Sequence, residues 1–554
     1  MKRIAMIAGL GMMTLTAAYA QQNNTELERT VVVENQYNPT VMVENQYNPT
    51  VMDASKINVL PKVEEPSVPK SNIDYVTSLR PVTAWNYQTM SLMPKEQVAD
   101  MIYRGWLRAG YGTYGNVDVK AGYEGYVSPK DRLGVAASLD GWNGKLAGLN
   151  EEDWTSRLYD TRLGVDYRHS FRKMDLALGG YYRSQVFNYL YPFLADAPAG
   201  KQHQTMANAH VGLASTDSNM PVSFTGEIGM NYFKQKYPTG VEAGSESDFY
   251  VKGDVLAPFM GQYFGLAFDL NACSYAMGEM KNSTSLEMNP YYRFEYGDWR
   301  IRVGAHLDWW SGAESRMNFS PDLNAELTFL DSYVLYAKAG GGRENKSLME
   351  LTDVTPYWML AQSYLIPTYV SLDAQLGLKA SPANGWWFNL AGGYQVRKDD
   401  LFFGMANEKG LMAAFVQADS KVAFGSAELK YDYKDLFDCA LKATYYHWGL
   451  SQPKAQDEQT KQVSLVLKPE LEVNAEVGMK PMAGLRVNVG YEYVKRCEGL
   501  YAPVSNLYVG ADYALLKNLS VFGQVHNLMN KEYVRADAYP AQKMNAMVGL
   551  SLRF

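Results

Sequence analysis

Leu471-Glu472-Val473-Asn474-Ala475-Glu476-Val477-Gly478-Met479-Lys480-Pro481-Met482-Ala483-Gly484-Leu485-Arg486-Val487-Asn488-Val489-Gly490-Tyr491-Glu492-Tyr493 contains two strands and the turn between them. In the first half Leu471, Val473, Ala475, Val477 and Met479 share one face, against Glu472, Asn474 and Glu476. After the turn at Lys480–Gly484, Leu485, Val487, Val489, Tyr491 and Tyr493 oppose Arg486, Asn488 and Glu492. A period of two is that of an extended strand with one apolar and one polar face. The pattern recurs upstream, where Val117, Val119, Ala121, Tyr123 and Val127 oppose Asp118, Lys120 and Glu124. It recurs again where Val370, Leu372, Ala374, Leu376 and Leu378 oppose Ser371, Asp373, Gln375 and Lys379. A soluble sandwich needs a second layer for the apolar faces, and none is encoded. A closed barrel with lipid outside and water inside satisfies both faces.

Composition agrees. The 554 residues are 47% hydrophobic and 20% charged, with 41 Tyr, 20 Phe, 11 Trp and 46 Gly. So many aromatics argue against extensive disorder. The net charge of −7 gives no reason to expect a nucleic-acid partner. A mean hydropathy of −0.29, with no long apolar run beyond the first 20 residues, excludes a helical membrane protein. Alternating faces average to such values in an outer-membrane β-barrel.

From Gly105 onward the connections alternate in length. Tight turns are read at Ser128–Asp131, Phe171–Met174, Asn219–Pro221, Gly297–Asp298, Asp331–Ser332, Pro382–Gly385, Lys434–Asp435, Lys480–Gly484 and Lys517–Asn518. Longer connections are read at Asn143–Thr155, Tyr191–Lys201, Pro238–Ser247, Asn345–Pro367, Lys398–Ser420 and Ser451–Gln462. Short periplasmic turns and long outer loops are the outer-membrane rule. The fold class is therefore all-β, an antiparallel up-and-down transmembrane barrel of about 22 strands over 105–554, with both termini in the periplasm. Pro290 interrupts one candidate strand and leaves the count uncertain by two. Trp106, Trp299, Trp386 and Trp387 begin strands, and Trp142, Trp309, Trp310 and Trp448 end them, as interfacial girdles require.

The N-terminus carries Lys2 and Arg3, an apolar core from Ile4 to Thr16, and Ala18-Tyr19-Ala20, the form of a secretory signal peptide over 1–20. Its removal takes the charge from −7 to −9 through the loss of Lys2 and Arg3. Residues 21–104 are a periplasmic tail in which Val33–Met42 repeats as Val43–Met52 before a Pro- and charge-rich linker at Lys62–Lys70. The β-branched string Thr30, Val31, Val32, Val33 and Glu34 is either part of a duplicated disordered tail or a strand that docks on a partner's sheet edge. Cys273, Cys439 and Cys497 include no CxxC, and Cys439 and Cys497 fall at opposite rims, so no disulfide is expected.

At the other end, Met544, Ala546, Val548, Leu550, Leu552 and Phe554 form a terminal alternating strand. Val525-His526-Asn527-Leu528-Met529-Asn530-Lys531-Glu532-Tyr533, followed by Tyr539-Pro540, resembles the signature near the end of TonB-dependent receptor barrels. The resemblance covers about the last 40 residues; elsewhere it is one of architecture. It implies that Phe554 ends the signal read by the barrel-assembly machinery. It likewise makes Thr30–Glu34 similar to the TonB box, which would make TonB a partner. The family carries a glycine-rich plug before its barrel. Only 84 residues run from Gln21 to Arg104, without such motifs, so the chain resembles a plugless, Bacteroidota-type member. Outer-membrane lipid is the remaining implied partner.

No enzyme chemistry stands out. The six His (169, 203, 210, 306, 447 and 526) lack metal-ligand spacing and read as solvated or girdle side chains; no cofactor is expected. Gly110–Gly115 matches GxGxxG but closes a strand hairpin rather than opening a helix. Inward candidates such as Asp118, Lys120, Asp373, Glu428, Glu492 and Asp512 read as a solvated, slightly acidic wall. Two outer loops are unexpectedly apolar, one through Tyr357 and Trp358, the other through Phe402 and Phe403. They either fold into the mouth or hold a surface lipoprotein or another barrel. Three function classes compete: a channel for small solutes or nutrients, a non-transporting scaffold of an outer-membrane assembly or secretion complex, and, least favoured, an enzyme with its catalytic groups at the rim.

Overall fold

The computed structural model describes residues 103–554 apart from 148–152, 190–199, 218–219, 237–243, 279, 331, 361–364, 405–413, 451–462 and 537–538. The signal peptide, the repeat and Thr30–Glu34 lie outside the described residues.

The wall strands are, in chain order, β1 (Gly105–Gly112), β2 (Val117–Ser128), β3 (Asp131–Ala147), β4 (Asp153–Ser170), β5 (Met174–Asn188), β6 (Lys201–Ser215), β7 (Ser223–Lys236), β8 (Ser245–Phe259), β9 (Gln262–Ala276), β10 (Ser283–Tyr296) and β11 (Trp299–Ser311). They continue as β12 (Ser315–Phe329), β13 (Tyr333–Glu344), β14 (Thr368–Ala380), β15 (Trp386–Gly404), β16 (Ala414–Tyr433), β17 (Phe437–Leu450), β18 (Pro469–Met482), β19 (Leu485–Arg496), β20 (Val504–Ala514), β21 (Leu519–His526) and β22 (Asn545–Arg553). Each is antiparallel to its chain neighbours. β1 pairs with β2 on one side and with β22 on the other, from Trp106↔Arg553 to Gly112↔Met547, so the 22 strands close. Two further two-residue ladders, Met359–Leu360 and Val463–Ser464, pair onto the outer ends of β15 and β16. Closure removes the open edges that would otherwise recruit other strands.

The barrel is apolar outside and polar inside. Leu163, Val165, Ile228 and Leu323 face outward and are exposed, while Asp160, Gln202, Gln204, Gln235 and Ser320 face inward and are fully buried. This inverts the arrangement of a water-soluble core and suits a bilayer. No helix among the described residues is long and apolar enough to cross a membrane.

Pro290 does not break β10. It pairs with Leu266 on β9, while the β11 ladder, in unchanged register, has no pair at Asn289 and Pro290 between Met288↔Leu307 and Tyr291↔Gly304, so the missing N–H falls where that ladder makes no bond. Two sequence expectations are corrected. Lys398–Ser420 is mostly strand, because β15 runs to Gly404 and β16 starts at Ala414; Asn143–Thr155 shortens similarly between β3 and β4. Those extensions carry Arg397, Asp400 and Asp419, which break the apolar alternation that only lipid-facing positions require. The tryptophans do not form a simple girdle: Trp299, Trp309 and Trp386 are exposed, but Trp142, Trp310 and Trp387 are buried on the inner face. Adjacent pairs such as Trp309–Trp310 and Trp386–Trp387 must split between faces by the strand period.

Candidate functional site

The outer mouth is built from two segments that fold inward. The first follows β13. Ser347 caps α1 (Leu348–Val354): its Oγ accepts the Glu350 amide at 3.1 Å, and Glu350 sits in the first turn. Leu348 and Leu351, three apart, form the buried face and pack with Met206, Phe233 and Trp358. The wall opposite holds the helix by polar contacts. Glu246 Oε2 on β8 accepts the Leu348 amide at 2.8 Å, and Gln204 Nε2 on β6 donates to the Pro356 carbonyl at 3.2 Å. Arg183 on β5 is buried between Asp160 of the wall, at 2.7 Å, and Asp353 of the helix. Trp358 Nε1 donates to Thr352 Oγ1 at 2.8 Å, which fixes the chain after the helix.

The second segment joins β21 to β22. Asn527 and Asn530 both have φ of +51°, a left-handed conformation that Asn tolerates. Asn527 Oδ1 accepts the Lys531 amide at 2.9 Å, and its Nδ2 donates to the Lys531 carbonyl at 2.8 Å. Beyond this turn Arg535 donates two hydrogen bonds, of 3.0 and 2.7 Å, to Glu492 on β19, and Arg496 donates to the Val534 carbonyl. The segments meet where Tyr357 stacks on Tyr539, with centroids 3.7 Å apart and planes 5° from parallel. Phe187 packs edge-on against Tyr357. Burial pushes the Tyr357 phenol well above the usual tyrosine range, so the ring stays neutral.

A third feature is the tall β15–β16 hairpin. Phe402 is buried with Val416 and Ala418, and Phe403 pairs through its backbone with Phe415 and Ser464. Arg397 on this hairpin binds Glu344 at 2.7 Å and Asp400 at 3.3 Å, and Lys346 binds Glu344 at 2.9 Å. Lys468, from the segment before β18, reaches Asp400 at 3.5 Å and lies over the Phe402 ring. One ionic cluster thus ties three outer connections.

Tyr357, Trp358 and Phe402, singled out from composition, are all buried against the chain's own barrel. Phe554 sits at the closing seam: its amide donates to the Gly105 carbonyl at 2.9 Å and its carbonyl accepts from Gly105 at 2.7 Å. The inner wall is less solvated than expected. Asp118 pairs with Lys120 at 2.6 Å, Lys430 with Glu428 at 2.8 Å, and Arg486 with Asp438 at 3.1 Å. The histidine expectation also needs correction for His306, which is 1% exposed and held by Glu287 at 2.6 Å and Asn289 at 3.0 Å. Among the described residues no group of His, Cys, Asp and Glu is placed to hold a metal. Sequence reasoning missed Arg183, Asp353, Glu246 and Arg535. Each is an ordinary charged residue in an alternating or loop pattern, and no local signal marks its partner.

These features define an antiparallel barrel of 22 strands with inward-folded outer connections, resembling the TonB-dependent outer-membrane transporters. Among solved structures, the FrpB iron transporter from Neisseria meningitidis (F3-3 variant) matches with a TM-score of 0.66 at 10% identity, over 82% of each chain. The ferric-catecholate import receptor Fiu from E. coli K12 matches at 0.61 and 10% identity, again over 82% of each. The siderophore receptor PirA from Pseudomonas aeruginosa matches at 0.58 and 12% identity, over 81% of this chain and 79% of its own. Likeness at such identity is likeness of fold. No family model and no curated protein matches the sequence.

Proposed function

We propose that this chain is an outer-membrane channel of transport type, passing small solutes or nutrients, which lacks a globular plug and is closed from outside by its own outer segments. The observation that carries this reading is the Tyr357–Tyr539 stack, which joins two segments arising on different parts of the rim. The Arg183–Asp353 pair and the Leu348–Glu246 bond support it by tying α1 to the wall across the lumen. Barrels of this size need something in the lumen to be closed, and these segments supply material for it. The fold likeness to transport barrels supports the transport class and leaves the solute open.

The test is planar-bilayer recording of the full chain beside a variant in which residues 347–366 are replaced by a short Gly-Ser linker. The full chain is expected to be nearly silent and the variant to give large, steady conductance. A variant as silent as the full chain overturns the reading, as does a stoichiometric co-purifying partner with no conductance in either protein.

A further inference from the structure

The lipid-facing side of β16 carries a run of small residues. Ala423, Gly425 and Ala427 occupy three consecutive outward positions, and Gly392, the register partner of Gly425 on β15, also points outward. Across that row the outward residues run Leu376, Gly392, Gly425, Tyr445, each paired with the next. Leu376 and Tyr445, 59% and 50% exposed, stand as walls three strand spacings apart, about 14 Å. This row lies in a shallow apolar depression of about 620 Å³ that extends past both walls, from Leu335 on β13 to Leu471 on β18.

Packing inside the barrel does not demand these glycines. A Cβ on Gly425 would meet no atom within 4 Å, and one on Gly392 only the Phe424 carbonyl at 3.6 Å. Large side chains would fit, yet the floor is bare. Outward of this depression the bare surface narrows to Ala423 alone, because its register partner on β15 is the exposed Tyr394; the next outward residue on β16 is Lys421, which is exposed and makes no ion pair among the described residues. His447, the register partner of Ala423, is exposed beside it. Lys421 and Gly425 are four positions apart, about 13 Å along the strand. That is within one leaflet of a hydrocarbon core about 30 Å thick.

We propose that this trough is a site for one acyl chain of an anionic, phosphate-bearing lipid of the surrounding membrane, lying along β16 with its phosphate on Lys421. The bare floor is two strands wide, about 5 Å between them, only at Gly392 and Gly425, and one strand wide where Leu390 and Tyr394 flank Ala427 and Ala423, whereas a helix with its side chains is about 10 Å across and does not enter. A flat barrel wall cannot reach the floor either. The cation in line with the trough complements a phosphate and gives a purely apolar partner nothing.

The test uses the full chain, delipidated in mild detergent, titrated with dioleoylphosphatidylglycerol or dioleoylphosphatidylcholine and read by native mass spectrometry. The unmodified protein is expected to retain one lipid and to prefer phosphatidylglycerol. Gly425→Leu and Gly392→Leu fill the trough and should weaken retention of both lipids about tenfold. Lys421→Ala should abolish the preference while keeping phosphatidylcholine binding. Gly226→Leu, whose Cβ also meets nothing within 4 Å but lies elsewhere on the belt, is the control and should change nothing. Heat-modifiable migration on gels reports that each variant is folded. Unchanged retention in Gly425→Leu overturns the proposal. So does equal loss in Gly226→Leu, which would mean bulk annular lipid, or a dimer mass that Gly425→Leu dissociates.

Discussion

Arg183 is the side chain that ties α1 to the wall by charge. It is buried and touches Asp160 on the wall and Asp353 on the helix; because Arg162 also contacts Asp160, at 3.2 Å, its loss costs less than the ~3–5 kcal/mol of a buried charge left without a partner. Arg183→Met is therefore expected to lower the urea midpoint of the barrel and to free the helix, read as raised conductance and faster proteolysis within 345–367. Asp353→Asn should free the helix with little loss of stability, because Asp353 is largely exposed while Asp160 keeps Arg183. If both variants match the unmodified protein in conductance, the latch is not what holds the mouth. Asn527 is a second such residue. Asn527→Ala puts a Cβ-bearing residue without a hydrogen-bonding side chain at a φ of +51°. The expected cost is about 1–2 kcal/mol, visible as protease cleavage near Lys531.

At the scale of elements, the question is whether 345–367 and 527–544 move apart. In a background with Cys273, Cys439 and Cys497 changed to Ser, Tyr357→Cys with Tyr539→Cys brings two thiols together where the rings now stack. A cleavable bis-maleimide should hold the barrel at its lowest conductance, and cleavage of the linker should release it. Conductance indifferent to the crosslink would place the barrier elsewhere. The segment before the barrel is tested separately. If Thr30–Glu34 is a docking strand, deleting residues 21–70 should abolish capture of a TonB C-terminal domain while leaving the barrel's heat-modifiable migration unchanged. Equal capture with and without the tail removes that role.

For the whole molecule, the barrel is tall on one side and short on the other. β15 and β16 span 19 and 20 residues, whereas β1, β21 and β22 span 8, 8 and 9. The outer ends of the tall hairpin meet 463–468 and the ladder at Met359–Leu360, so the connections β13–β14, β15–β16 and β17–β18 lean on one another. The Arg397, Glu344, Asp400 and Lys468 cluster lies where they meet. Arg397→Ala is expected to loosen all three connections together, seen as parallel gains in amide exchange, rather than one alone.

The strands were legible because a wall residue must face lipid or lumen, and a period of two records that choice in consecutive letters. The same logic gave the count of strands, and composition gave the apolar character of the segments carrying Tyr357, Trp358 and Phe402. It faltered where the strands leave the bilayer, since Arg397, Asp400 and Asp419 no longer answer to lipid. Sequence alone could not bring Tyr357 to Tyr539 or Arg183 to Asp353, pairs separated by 182 and 170 positions. Those contacts exist because closure of the barrel brings distant strands to one rim. The alternation of letters determined that there is a barrel, and only the three-dimensional closure decided what fills its mouth.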